Sequence, residues 1–149
     1  MAQNIIIIDD NPHNTKLARL VLSKEGYNVY SELSVKDGLK IMKMHKMSLV
    51  LMDVMMPGID GFEGVKLIKE DENLRLIPII MVTALSTKED VLKALKVGAD
   101  DYLAKPYNIK DLVAKTKHLT SISAFIEKWC PHASENTNII DLMDLSSID

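Results

Sequence analysis

Cysteine is nearly absent from this chain. Cys130 is the only one, so no internal disulfide can form, and a reducing compartment suits the protein. Long apolar runs are missing as well. The isoleucine run Ile5–Ile8 falls far short of the ~20 residues that a membrane helix needs. Met1–Asn4 carries no basic segment of the kind that opens a secretory leader, so neither leader nor anchor is expected and the cytoplasm is the expected location. Aromatic residues are few, and no block of lysine or arginine interleaves with them, which argues against nucleic-acid binding as a primary role. The net charge of −3 is mild and excludes little. What remains is a chain of 149 residues with the apolar and charged content of a soluble globular protein, long enough for one domain and a tail.

The chain alternates. Short apolar or β-branched runs occur at Ile5–Ile8, Tyr27–Tyr30, Leu49–Met52, Ile79–Val82 and Asp101–Ala104, and each precedes a longer segment of helical period. Strand-then-helix repetition predicts βα units around a parallel sheet. Ile5–Ile8 and Leu49–Met52 are apolar at every position, as strands covered by helices on both faces should be. Asn11-Pro12 predicts a capped helix start with proline in its first position. Asp60–Glu63 and Ser86–Glu89 have capping-box spacing, and Asn108 precedes an apolar stripe. Gly26 and Gly98 are placed to close the first and fourth helices. The division expected is a domain over residues 1–120 and an extension over 121–149, in which the last helix continues to Trp129 before Cys130-Pro131 breaks it.

In a parallel α/β sheet, ligands bind beyond the carboxyl ends of the strands. Asp9 and Asp10 end the first strand, Asp53 the third and Thr83 the fourth, while Lys105 follows the fifth. Carboxylates gathered in this way repel, and a hard divalent cation such as Mg²⁺ relieves the repulsion. An Asp53 oxygen could then attack phosphorus in line, with Lys105 and the Thr83 hydroxyl on the phosphoryl oxygens.

The stretches Ile8–Asn11, Leu51–Gly61 and Gly98–Pro106 together resemble the response-regulator receiver family, over about residues 4–120. The resemblance implies an α/β, flavodoxin-like, doubly wound five-stranded parallel sheet of order 2-1-3-4-5 with helices on both faces. It implies Asp53 as phosphoacceptor, and Asp10, Asp53 and the Met55 carbonyl as ligands of Mg²⁺, for which Mn²⁺ could substitute. Asp9 would help through water. Thr83 and Lys105 would contact the phosphoryl group, Thr83 and Tyr102 would form a switch, and the Lys105-Pro106 bond would be cis. The expected partners are a histidine kinase or histidine phosphotransfer protein and a downstream protein target, with no nucleic acid and no membrane. A homodimer through the fourth and fifth helices, or through residues 119–129, is also admitted.

Other residues have plainer readings. Asp60 and Asp100 suit cap and turn roles, and His13 suits a solvated surface. Cys130 and His132 are too sparse for a metal site. The methionines read as core filler, with Met42, Met44 and Met47 half exposed. Leu119, Ile122, Phe125, Ile126 and Trp129 either fold back on the domain or form a contact stripe, the latter being preferred. Apolar Met55 and Leu85 beside the site predict a shielded, slowly hydrolysed acyl phosphate. Two further functions compete: a receiver-shaped interaction module that works without phosphorylation, and an aspartate-dependent phosphohydrolase. The hydrolase would want a second acid two residues after Asp53, where Met55 stands.

Overall fold

The computed structural model describes residues 2–85 and 87–129. Ser86, the Cys130–His132 pair and the run from Ile139 lie outside the described residues. Five strands and five helices alternate: β1 (Asn4–Ile8), α1 (Pro12–Lys24), β2 (Asn28–Glu32), α2 (Val35–Met44), β3 (Leu49–Met52), α3 (Gly61–Glu70), β4 (Ile79–Thr83), α4 (Lys88–Val97), β5 (Asp101–Ala104) and α5 (Ile109–Trp129). All pairings are parallel, in the order β2-β1-β3-β4-β5. This is the flavodoxin-like arrangement. The order reverses between β1 and β3, and a crevice opens there at the carboxyl ends of the strands.

The all-apolar strands are explained by two cores. Successive strand side chains point to opposite faces. Ile6, Ile8, Val50, Met52, Ile79 and Met81 therefore pack with Val35, Phe62, Val65 and Ile68 from α2 and α3. Ile5, Ile7, Leu49, Leu51, Ile80 and Val82 pack on the other side with Leu22, Leu112 and Leu119 from α1 and α5. A one-residue slip in β1 would exchange the two faces, so the register Ile6↔Val50 is fixed by the packing of both layers.

The helix starts follow local chemistry, with one displacement. Asn11 caps α1, its side chain accepting from His13 N at 3.0 Å, and Asp60 caps α3, accepting from Glu63 N at 2.9 Å. The box that opens α4 is closed by Thr87 and Asp90, one residue beyond the expected Ser86–Glu89 pair. Both spacings are written in the sequence, and local spacing alone does not choose between them. β2 also starts later than expected, at Asn28. Tyr27 N donates to Leu22 O at 3.2 Å and so belongs to the end of α1, while the Tyr27 hydroxyl pairs with Thr120 Oγ1 at 3.0 Å. Gly26 and Gly98 have φ of 96° and 112°, the left-handed geometry that closes α1 and α4.

Of the three methionines expected to be half exposed, Met42 and Met47 are buried and Met44 is exposed. Along the end of α5, Leu119 is buried and Ile122 packs against the second core, whereas Phe125 and Trp129 are exposed.

Candidate functional site

β1 and β3 are neighbours, so the residues that follow them emerge side by side. Asp9 N donates to Glu32 O at 3.1 Å and Asp53 N to Ile8 O at 3.0 Å, which extends the ladder one residue past each strand and fixes where both carboxylates begin. The Asp9 carboxylate also accepts from Asn11 N at 2.9 Å, and Asp53 Oδ1 accepts from Met55 N at 3.3 Å. Each acid is thus aimed by the turn that carries it. Gly61 completes the scaffold. Its N–H donates to Val54 O at 2.9 Å, and a Cβ there would collide with the Asp53 carbonyl, so the loop after β3 closes only with glycine at this position.

Lys105 reaches back from beyond β5. Lys105 N donates to Thr83 O at 2.8 Å, and Nζ lies 2.8 Å from Asp9 Oδ2 and 3.4 Å from Asp53 Oδ2. The Lys105-Pro106 peptide is cis. Burial would lower the Lys105 pKa, but the bonds and charges of Asp9 and Asp53 outweigh it and hold the ammonium above its ordinary value. The side chains of Asp9 and Asp53 are 7% and 9% exposed, so two nearly buried anions share one cation. Asp10 is exposed, and one carboxylate oxygen each from Asp9, Asp10 and Asp53 lies within 4.8 Å of the others. Three carboxylates against one ammonium leave the cluster anionic. The donors are hard oxygens with no thiolate or imidazole among them, a set that fits Mg²⁺ or Mn²⁺ rather than zinc.

Thr83 is fully buried, and its Oγ1 accepts from Leu85 N at 3.3 Å. Tyr102, paired with Met81 in the sheet, has a hydroxyl that is buried without a hydrogen-bond partner among the described residues. Its pKa is raised, by burial first and then by the charges of Asp90 and Asp53. Met55 is 61% exposed and Leu85 is half-buried, so the two apolar side chains flanking the site differ in how much they can cover. His13 is exposed.

The sequence reading missed Tyr107. This half-buried residue lies with Asp9, Asp53 and Lys105 around a small gap of about 20 Å³ beneath the site. Burial raises its pKa, Lys105 pulls it down, and Asp9 pushes it up again. An aromatic two residues after Lys105 was the available signal.

Comparison with known proteins identifies the family. The family model of the response regulator receiver domain matches residues 5–117. The chain belongs to that family. Receiver domains typically bind Mg²⁺ at an acidic cluster, and the receiver described above has such a cluster in Asp9, Asp10 and Asp53. The transcriptional regulatory protein YvrH of Bacillus subtilis (strain 168) is 38% identical over 115 residues, which cover 76% of this chain and 47% of the relative. The receiver therefore spans about half the length of that relative. Among solved structures, a protein assigned as a response regulator from Chloroflexus aurantiacus J-10-fl is 29% identical with a TM-score of 0.78, covering 81% of this chain and 99% of the other. The signal receiver domain of a signal transduction histidine kinase from Syntrophus aciditrophicus is 31% identical with a TM-score of 0.75, covering 80% and 91%.

Proposed function

We propose that this receiver accepts a phosphoryl group on Asp53 from a phosphohistidine of a histidine kinase or phosphotransfer protein, and that the modified form presents a changed surface to a downstream protein. The observation that carries this reading is Lys105 Nζ held between Asp9 and Asp53 at 2.8 and 3.4 Å. That arrangement keeps a cation beside the acceptor without covalently engaging it. An Asp53 oxygen attacks phosphorus, a P–O bond forms as the P–N bond of the donor breaks, and the electron pair returns to the imidazole. Lys105 turns from the two carboxylates to a phosphoryl oxygen, and the Thr83 hydroxyl donates to another. Asp10, Asp53 and the Met55 carbonyl would hold Mg²⁺, with Asp9 assisting through water. When bound there, the ion would supply charge neutralisation to the transferring group. Mn²⁺ would serve in its place.

Thr83 and Tyr102 form the proposed switch. Moving Thr83 toward the phosphoryl group frees space beside β5, and the unpartnered Tyr102 hydroxyl gives that ring a reason to change its packing. The face made by α4, β5 and α5 then changes, either for a target or for a second copy through that face or residues 119–129. We assign residues 1–120 to the phosphoacceptor domain and 121–149 to an extension, in a cytoplasmic protein. No described helix is long and apolar enough to cross a membrane.

The deciding experiment is incubation of wild type and Asp53→Asn with acetyl phosphate and Mg²⁺, followed by mass spectrometry. A phosphoryl mass gain confined to wild type supports the assignment. An unmodified wild type would leave a receiver-shaped interaction module instead.

A further inference from the structure

Asp9 leans on Lys105 more than Asp53 does. Its side chain is 7% exposed, and Oδ2 accepts from Lys105 Nζ at 2.8 Å, against 3.4 Å for Asp53 Oδ2. The other oxygen, Oδ1, is already taken by Asn11 N at 2.9 Å. When Lys105 turns to a phosphoryl oxygen, as it does in the proposed transfer, Asp9 Oδ2 loses the donor that the described residues give it. A buried carboxylate left in this way keeps the cost of its burial without the interaction that offset it. Transfer therefore calls for a donor that takes the place of the ammonium.

The gap beneath the site holds the candidates. Asp9, Asn14, Asp53, Lys105 and Tyr107 line it, and the rest of its wall is apolar. A volume of about 20 Å³ is room for a single water, which needs roughly two to four polar partners. The two ionised acids only accept, so the donors on the wall are Asn14, Lys105 and Tyr107. Lys105 departs during transfer. Asn14 is exposed on α1, where bulk water serves its amide. Tyr107 is half-buried in the loop between β5 and α5. Lys105 and Asp9 act on its hydroxyl by charge, without a direct hydrogen bond, so one bridging molecule completes the link.

We infer that Tyr107 is a positioning residue for phosphoryl uptake, its hydroxyl answering Asp9 through a water in this gap once Lys105 leaves. The inference rests on the phosphoacceptor reading of Asp53. The phenolic O–H donates to the water, and the water donates to Asp9 Oδ2, with no covalent bond changed. In the resting protein Lys105 serves Asp9 directly, and the Tyr107 hydroxyl contributes little. Its contribution grows when the ammonium is elsewhere. Phenylalanine would fill the same wall and lack only the donor.

A double-mutant cycle tests this without phosphate or metal. Urea unfolding compares wild type, Tyr107→Phe, Lys105→Met and the double variant, in which methionine imitates the departed lysine. Tyr107→Phe should lower the folding constant at least ~3-fold more in the Lys105→Met background than in wild type. Equal losses in the two backgrounds, as a merely structural role would give, would overturn the inference. A second measurement follows uptake from acetyl phosphate across a series of Mg²⁺ concentrations. Tyr107→Phe should lower the limiting rate roughly 3- to 10-fold while the half-saturating Mg²⁺ concentration stays at the wild-type value. An unchanged limiting rate would overturn it as well. A wild type that took up no phosphoryl group would instead sink the Asp53 reading, and the urea cycle would still decide whether Tyr107 answers Asp9.

Discussion

Lys105 is the residue on which the site balances. Its ammonium offsets two nearly buried carboxylates, and removing one partner of such a set leaves charge unanswered. Lys105→Met should therefore destabilise the metal-free protein by roughly 1–3 kcal/mol in urea denaturation, and Mg²⁺ should restore part of the loss. Met55 lies two residues after Asp53, the proposed acceptor, and is 61% exposed. Met55→Asn gives a polar group that can orient water, and the lifetime of the acyl phosphate should shorten roughly 3- to 10-fold in a hydrolysis time course, well below the effect of a full general base. An unchanged lifetime would show that the methionine does not shield.

Tyr107 and Tyr102 both have pKa values raised above the ordinary phenol range, chiefly by burial. The folded state then holds protons that the unfolded chain would release. Stability from these groups is fully present below the unfolded-state pKa and is lost as pH rises through the folded one. An alkaline spectrophotometric titration should show a late tyrosinate component, and Tyr107→Phe should remove part of it.

Among the elements, α4 is the clearest case of a choice left open by local sequence. Ser86–Glu89 and Thr87–Asp90 are overlapping boxes one residue apart, and the helix starts from the second. Thr87 Oγ1 accepts from Asp90 N at 3.2 Å, and Asp90 Oδ2 accepts from Thr87 N at 3.3 Å. Thr87→Ala should cost about 1 kcal/mol in thermal or urea unfolding, and Thr87→Asn should recover most of it. If Thr87→Ala were neutral, the Ser86 box would be serving instead. The strands were easier to read. Four consecutive isoleucines in β1 have meaning only if both faces are covered, and the two cores divide them two and two. The start of β2 was not legible from strand propensity, which favours Tyr27, because the Tyr27 N–H closes the end of α1 on Leu22 O and its hydroxyl reaches Thr120, far along the chain.

For the whole molecule, a ligand that binds only the folded state stabilises it by mass action. Mg²⁺ at ten times its dissociation constant should add about 1.4 kcal/mol to unfolding, and Asp10→Asn should weaken that increment while leaving the fold intact, since Asp10 is exposed. A midpoint indifferent to Mg²⁺ would argue that the cluster does not hold the ion. Alternating βα units and residues at predicted strand ends were enough to indicate a parallel sheet and to nominate Asp9, Asp10, Asp53, Thr83 and Lys105, because strand period and strand ends are local properties of the chain, whereas the strand order came from the family resemblance. Distances between strands are not local. That Lys105 spans Asp9 and Asp53, that Tyr107 borders the same gap, and that α5 walls a cavity with Met42 and Ile77 follow from packing remote segments together. Residue type and spacing determined which groups are available for chemistry, and tertiary structure decided which of them meet, because burial and charge depend on neighbours that the order of residues does not name.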